Sequence, residues 1–97
     1  MNLWKYKIKV TASFKCDLKK ILKQGFDKTE LDKAIDVIAS GDKLDLRYKD
    51  HVLLKNKNFC NDRECHIKPD VLLIYYIDTE NSILFLVRIG SHSDLFK

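Results

Sequence analysis

These 97 residues hold one proline, three glycines and three cysteines, and no apolar run long enough to cross a bilayer. A spanning helix needs about 20 predominantly apolar residues, so no membrane segment is expected. No repeat, low-complexity stretch or interdomain linker is present, in keeping with so little glycine and proline. Residues 1–10 mix lysines with apolar side chains and lack the apolar block of a secretion signal. Cys16, Cys60 and Cys65 form an odd set without an export signal, so reduced thiols in a cytoplasm are the expectation.

What is present describes a folded domain. The hydrophobic share is 45% and the charged share 33%, a balance that excludes a disordered tail. A chain of this size supports one core, so residues 1–97 are expected to form a single domain. Lysine and arginine exceed aspartate and glutamate by four charges. That favours an acidic partner, nucleic acid or protein, although the sign alone is weak support.

Hydropathy patterning predicts an α+β order. Tyr6, Ile8 and Val10 alternate with Lys7, Lys9 and Thr11, the period of a strand with one wet face. Ser13 can cap a helix whose stripe is Phe14, Leu18, Ile21 and Leu22, with Gly25 ending it. Asp27 and Glu30 resemble a capping box for a second helix with Leu31, Ala34, Ile35 and Ile38 inward, closed by Gly41. Residues 42–62 read as a long polar loop with one short element around Val52–Leu54. A strand is expected over Arg63–Lys68, then a hairpin of Val71–Ile77 and Ile83–Val87. Such continuous apolar strands are buried on both faces or nearly so. If Ile77 faces Ser82, partner numbers sum to 159, and Asp70, Arg88, His66 and His92 gather at one end of the hairpin.

All three histidines, His51, His66 and His92, lie in the second half, each within four residues of an aspartate: Asp50, Asp70 and Asp94. Imidazole is the side chain that exchanges protons near neutral pH. Two imidazoles, a carboxylate and a guanidinium in one pocket suit attack on a phosphodiester. One group takes the proton of a 2′-hydroxyl, another protonates the leaving 5′-oxygen, and a cation steadies the phosphate. No metal or other cofactor is required.

Three segments resemble the YafQ branch of the RelE/ParE toxin superfamily: Lys49-Asp50-His51, the run from Arg63 to Tyr75, and Arg88-Ile89-Gly90-Ser91-His92-Ser93-Asp94-Leu95-Phe96. The resemblance implies a RelE-like fold, with an N-terminal strand and a two-helix hairpin on a twisted, mainly antiparallel sheet. It implies an endoribonuclease (mRNA interferase) toxin of a type II toxin–antitoxin system, acting in the ribosomal A site. The implied partners are mRNA, the ribosome and an acidic antitoxin that also binds operator DNA. The implied catalytic positions are His51, His66, Asp70 and His92, with His92 as general acid, Asp70 or His66 as base, and His51 as second base or orienting group. Arg88 and Phe96 are the implied RNA contacts; Lys49 and Lys68, beside the histidines, are read as tracking an RNA backbone or an acidic antitoxin. Where one well-known member has tryptophan after the aspartate, this chain has Val71. The alternatives are a non-catalytic ParE-like toxin that sequesters a partner, and a ribosome-independent RNase.

Plainer readings exist for each residue. A single histidine is most often structural, Arg88 can simply pair with Asp70 or Asp94, Phe96 can be a core plug, and the lysines can be a solvated face. Cys60, Cys65 and His66, with Cys16 or His51, can be read as a zinc site of loose spacing. Cys16, beside the stripe of the first helix, is expected to be a small packing residue.

Overall fold

A computed structural model of the protein describes residues 4–53 and 62–96. Strand β1 (Lys7–Val10) leads into helices α1 (Ala12–Lys23) and α2 (Thr29–Ala39), followed by a single 3-10 turn at Leu46–Tyr48. Strands β2 (His51–Val52), β3 (Arg63–Lys68), β4 (Val71–Asp78) and β5 (Ile83–Gly90) come next, and helix α3 (His92–Leu95) closes the described chain. The five strands form one sheet in the order β1-β5-β4-β3-β2. β1 runs parallel to β5 and every other pair is antiparallel. This is the α+β arrangement expected, a helical hairpin on a mainly antiparallel sheet.

The helical hairpin forms where the apolar stripes predict it, with its caps partly moved. Thr11, not Ser13, caps α1: its Oγ1 accepts the Phe14 amide at 3.0 Å, and its hydroxyl donates to the Val87 carbonyl at 2.7 Å. The helix thereby starts early enough to bury Phe14 and Ile21, while Leu22 stays 41% exposed. Cys16 is also exposed, not packed. Before α2, Asp27 accepts the Thr29 amide and hydroxyl at 3.0 and 2.7 Å. Glu30 does not close the box; it turns to Arg47 and the Tyr48 hydroxyl. Leu31, Ala34 and Ile38 are buried as the stripe requires.

The sheet is covered on both sides. Leu73 and Tyr75 of β4 join the main core with Phe14, Leu31, Ile38, Cys65 and Leu86. Leu72 and Ile74, pointing the other way, form a second cluster with Leu95, against which Leu53, Val87 and Phe96 pack. Alternate strand residues face opposite sides, so the unbroken apolar run of β4 serves two layers. The hairpin register differs from expectation. Asp78 pairs with Ile83, so the sum is 161 across a four-residue turn in which Asp78 accepts the Asn81 amide. An irregularity between Ile74 and Tyr75 then shifts the register, placing Ile74 opposite Arg88 and Leu72 opposite Gly90. Val71 is therefore not Arg88's partner; the bulge falls at Val87, which packs against the second cluster.

Candidate active site

The face under α3 carries two of the predicted histidines. Residues paired across a sheet share a face. His66 pairs with Leu72, Glu64 with Ile74, and His51 with Glu64. All three polar side chains therefore lie on the side that α3 covers with Leu95. His51 is held by β2, one residue earlier than the short element expected at Val52–Leu54, which extends into residues outside those described.

Glu64 is the centre of this group, and the sequence pattern did not single it out. It is 6% exposed, the one buried charged side chain among the described residues. Its Oε1 lies 3.5 Å from His66 Nε2 and 3.7 Å from His51 Nε2. The available signal was spacing: Glu64 and His66 are two apart on a strand and must share a face. Asp50, the carboxylate next to His51 in sequence, is committed elsewhere. It accepts the Tyr75 hydroxyl at 2.7 Å and Arg63 Nε and Nη2 at 3.2 and 3.1 Å. Arg63 is held above its ordinary pKa chiefly by that hydrogen bond. Burial, followed by the Asp50 contact, pushes the Tyr75 hydroxyl well above the usual tyrosine value.

The 3-10 turn settles the orientation of His51. Lys49 adopts a left-handed backbone, φ 49°, and its carbonyl lies 2.7 Å from His51 Nδ1. A carbonyl only accepts, so Nδ1 carries the hydrogen and Nε2 is the nitrogen turned toward Glu64.

His92, Asp70 and Phe96 cluster around α3. Ser91 Oγ accepts the Asp94 amide at 3.2 Å and starts the helix with His92 as its first residue. The exposed His92 ring stands 4.8 Å from the Phe96 ring, centre to centre, tilted by 41°. Asp70 is exposed in the β3–β4 turn and borders the same surface hollow as Lys68, Ser91 and Asp94. Lys68 Nζ lies 5.7 Å from the centre of the Phe26 ring. His66, Leu72 and Gly90 form one row across three strands, which brings His66 to the end of the sheet where α3 begins.

Arg88 has a different partner from the two weighed in the sequence. Its Nη2 donates to Asp17 of α1 at 2.9 Å and its Nε to the other carboxylate oxygen at 2.6 Å. Neither Asp70 nor Asp94 takes that role, because β5 outruns β1 and α1 lies along the freed edge. Asp94 borders the pocket beside the pair.

The zinc reading fails on geometry. Cys65 is fully buried in the helix-side core while His66 faces the other way, and Cys60 lies outside the described residues. Among the described residues no group of three His, Cys, Asp or Glu side chains is arranged to hold a metal ion. Burial pushes the Cys65 thiol up to about 12.

Solved structures with this architecture include toxins from Helicobacter pylori and Escherichia coli. A metal-bound toxin from Helicobacter pylori is 44% identical, with a TM-score of 0.86 over 94% of this chain and 99% of that one. YafQ from Escherichia coli is 27% identical, with a TM-score of 0.84 over 95% and 99% of the two chains. The YafQ chain of the E. coli DinJ–YafQ toxin–antitoxin complex is 26% identical, with a TM-score of 0.83 over 96% and 99%. No curated protein sequence matches. The family model described as the bacterial toxin of type II toxin–antitoxin system, YafQ, matches residues 6–97, and the chain belongs to that family.

Proposed function

We propose that the protein is a ribosome-dependent endoribonuclease that cuts mRNA in the A site without a metal ion. The observation that carries this reading is the pairing of His51 and His66 around buried Glu64, on the sheet face that α3, with His92 as its first residue, covers. In the mechanism, His66 or Asp70 takes the proton of the 2′-hydroxyl, whose oxygen attacks the adjacent phosphorus. His92 protonates the departing 5′-oxygen, leaving a 2′,3′-cyclic phosphate. Each proton transfer supplies about 10²–10⁴ in rate. Glu64 faces both imidazoles and holds them in register, and His51 acts as second base or orienting group through Nε2. Lys49, Lys68 and the exposed part of Arg88 attract the RNA backbone. The His92–Phe96 ring pair offers a face to a base.

The H. pylori and E. coli relatives are toxins, and the E. coli protein is found with DinJ. The proposed partner of this chain is likewise an antitoxin, of acidic character to match the net charge of +4. Primer extension on mRNA from induced cells tests the activity. Cuts within translated frames are expected for the wild type, none for His92→Ala, and none on naked RNA. Undiminished cutting by the His92 variant overturns the mechanism.

A further inference from the structure

A cleft of about 360 Å³ opens between the 3-10 turn, the start of α2 and strand β3. Its lining includes His66, so it adjoins the candidate active site along one wall. Ile67 and Tyr48, both buried, and Pro69 supply apolar surface, while Arg47, Lys49 and Lys68 supply positive charge. Clefts that bind small organic groups run from roughly 300 to 1,000 Å³ with a few fixed polar groups.

Arg47 is the fixed group. Its guanidinium carbon lies 4.8 Å from the centre of the Tyr48 ring. Its Nη2 donates to the Tyr48 hydroxyl oxygen at 2.9 Å and to Glu30 at 3.4 Å. Tyr48 donates to Glu30 in turn at 3.1 Å. The only carboxylate among the described residues of the cleft is thus occupied by these partners and by Lys33 at 3.7 Å. The Arg47 side chain nevertheless remains 63% exposed. A guanidinium immobilised against a ring, with its surface still open, is a stacking platform for a flat π-system.

We propose that this cleft receives a nucleobase of the bound RNA, in a nucleotide next to the phosphate that is cut. The base stacks against Arg47 and rests on the apolar surface of Ile67 and Pro69. Lys49 and Lys68 take the flanking phosphates. The inference rests on the RNA-cleavage reading and adds to it a subsite outside the proton-transfer group. Charge decides between nucleic acid and an apolar ligand: three cations surround a cleft whose single acid is already neutralised. The shared His66 wall decides the position, since a base seated there leaves its sugar–phosphate beside the imidazoles.

The experiment is an amide NMR titration of the whole chain with a 2′-O-methylated RNA tetranucleotide, which binds but cannot be cut through a blocked 2′-oxygen. Shifts at Arg47–Lys49 and Ile67–Lys68, together with shifts around His92, are expected. Arg47→Ala should weaken binding by about tenfold, the order of one lost stacked base. Arg47→Lys, which keeps the charge and loses the plane, should weaken it nearly as much. Retained melting temperature shows that both variants fold. Shifts at His51, His66 and His92 with Arg47–Lys49 unmoved overturn the subsite while sparing the cleavage reading. Shifts nowhere overturn the subsite, and the cleavage reading then stands or falls on the primer-extension test. Wild-type affinity in Arg47→Lys overturns the stacking role. An acidic peptide that moves Arg47–Lys49 where the RNA does not would assign the cleft to a protein partner and end the proposal.

Discussion

Arg88 and Asp17, 71 positions apart, meet in a two-point ion pair that ties β5 to α1. The same carboxylate accepts the Ile89 amide at 3.2 Å. β1 stops pairing at Val10–Leu86, so Asp17 satisfies ladder hydrogen bonding that no strand reaches. The side chains are 31% and 16% exposed, which places the pair between a solvated contact and a buried one.

Arg88→Ala should therefore destabilise the fold by about 1–3 kcal/mol, since it leaves a shielded carboxylate short of its partner. For a domain of this size each kcal/mol lowers Tm by roughly 4–8 °C. Arg88→Lys should recover only part of the loss, because an ammonium cannot make the two-point contact. Thermal melts followed by circular dichroism measure both. An unchanged Tm in Arg88→Ala would leave the guanidinium with RNA contact as its only role.

Glu64→Gln separates site from fold. It preserves shape and removes the charge that two imidazoles face. Cleavage on programmed ribosomes should drop by about 10²-fold, the lower range for an impaired proton-transfer group. The melting temperature should not fall, because relieving the desolvation of a buried charge offsets the weaker attraction to the imidazoles. Parallel loss of Tm and activity would make Glu64 a scaffold residue instead.

Tyr75→Phe tests the clamp that carries His51. Deleting the hydroxyl that donates to Asp50 removes a hydrogen bond to a charged group, a loss of about 1.5–3 kcal/mol in urea unfolding. Arg63 still holds Asp50 at two points, so the low end is expected. Reduced cleavage beyond the fraction unfolded, with a disturbed His51 Nδ1 resonance, would show that the clamp positions the imidazole.

Alkaline stability should fall in a defined window. The Cys65 thiol rises from 9.0 to about 12 through burial, and the Tyr75 hydroxyl is raised from 10.0 by burial and by Asp50. Both groups ionise more easily in the unfolded chain. Their contribution is complete below about pH 9 and is lost as pH climbs toward 12. Denaturant midpoints measured from pH 7 to 11 should decline above pH 9, and Cys65→Ala should flatten the early part of that decline. Iodoacetamide at pH 8 should label exposed Cys16 and spare Cys65 until the chain unfolds, as read by peptide mass spectrometry.

Local order was largely legible without coordinates. The stripes of α1 and α2, the strand Arg63–Lys68 and both hairpin strands follow from side-chain period alone. Gly25 and Gly41, with φ of +89° and +82°, stand where the helices end. The cap of α1 was misplaced by two residues because Thr11 and Ser13 offer equally good capping oxygens, and only the burial of Phe14 chooses between them. The three imidazoles and Asp70 could be named as candidates from the sequence. Glu64 was legible only through its two-residue spacing from His66, and the commitment of Asp50 and Arg88 was not legible, since partners lying 13 to 71 positions away leave no local periodicity.

The order of amino acids determined which segments become helix or strand and which side chains can move protons, because those properties belong to a residue and its near neighbours. The tertiary structure alone decided which acid serves which base. A strand pairing of His51 with Glu64, a bulge beside Tyr75 and an edge that β1 leaves open set those partnerships, and each depends on contacts between segments that the chain keeps far apart.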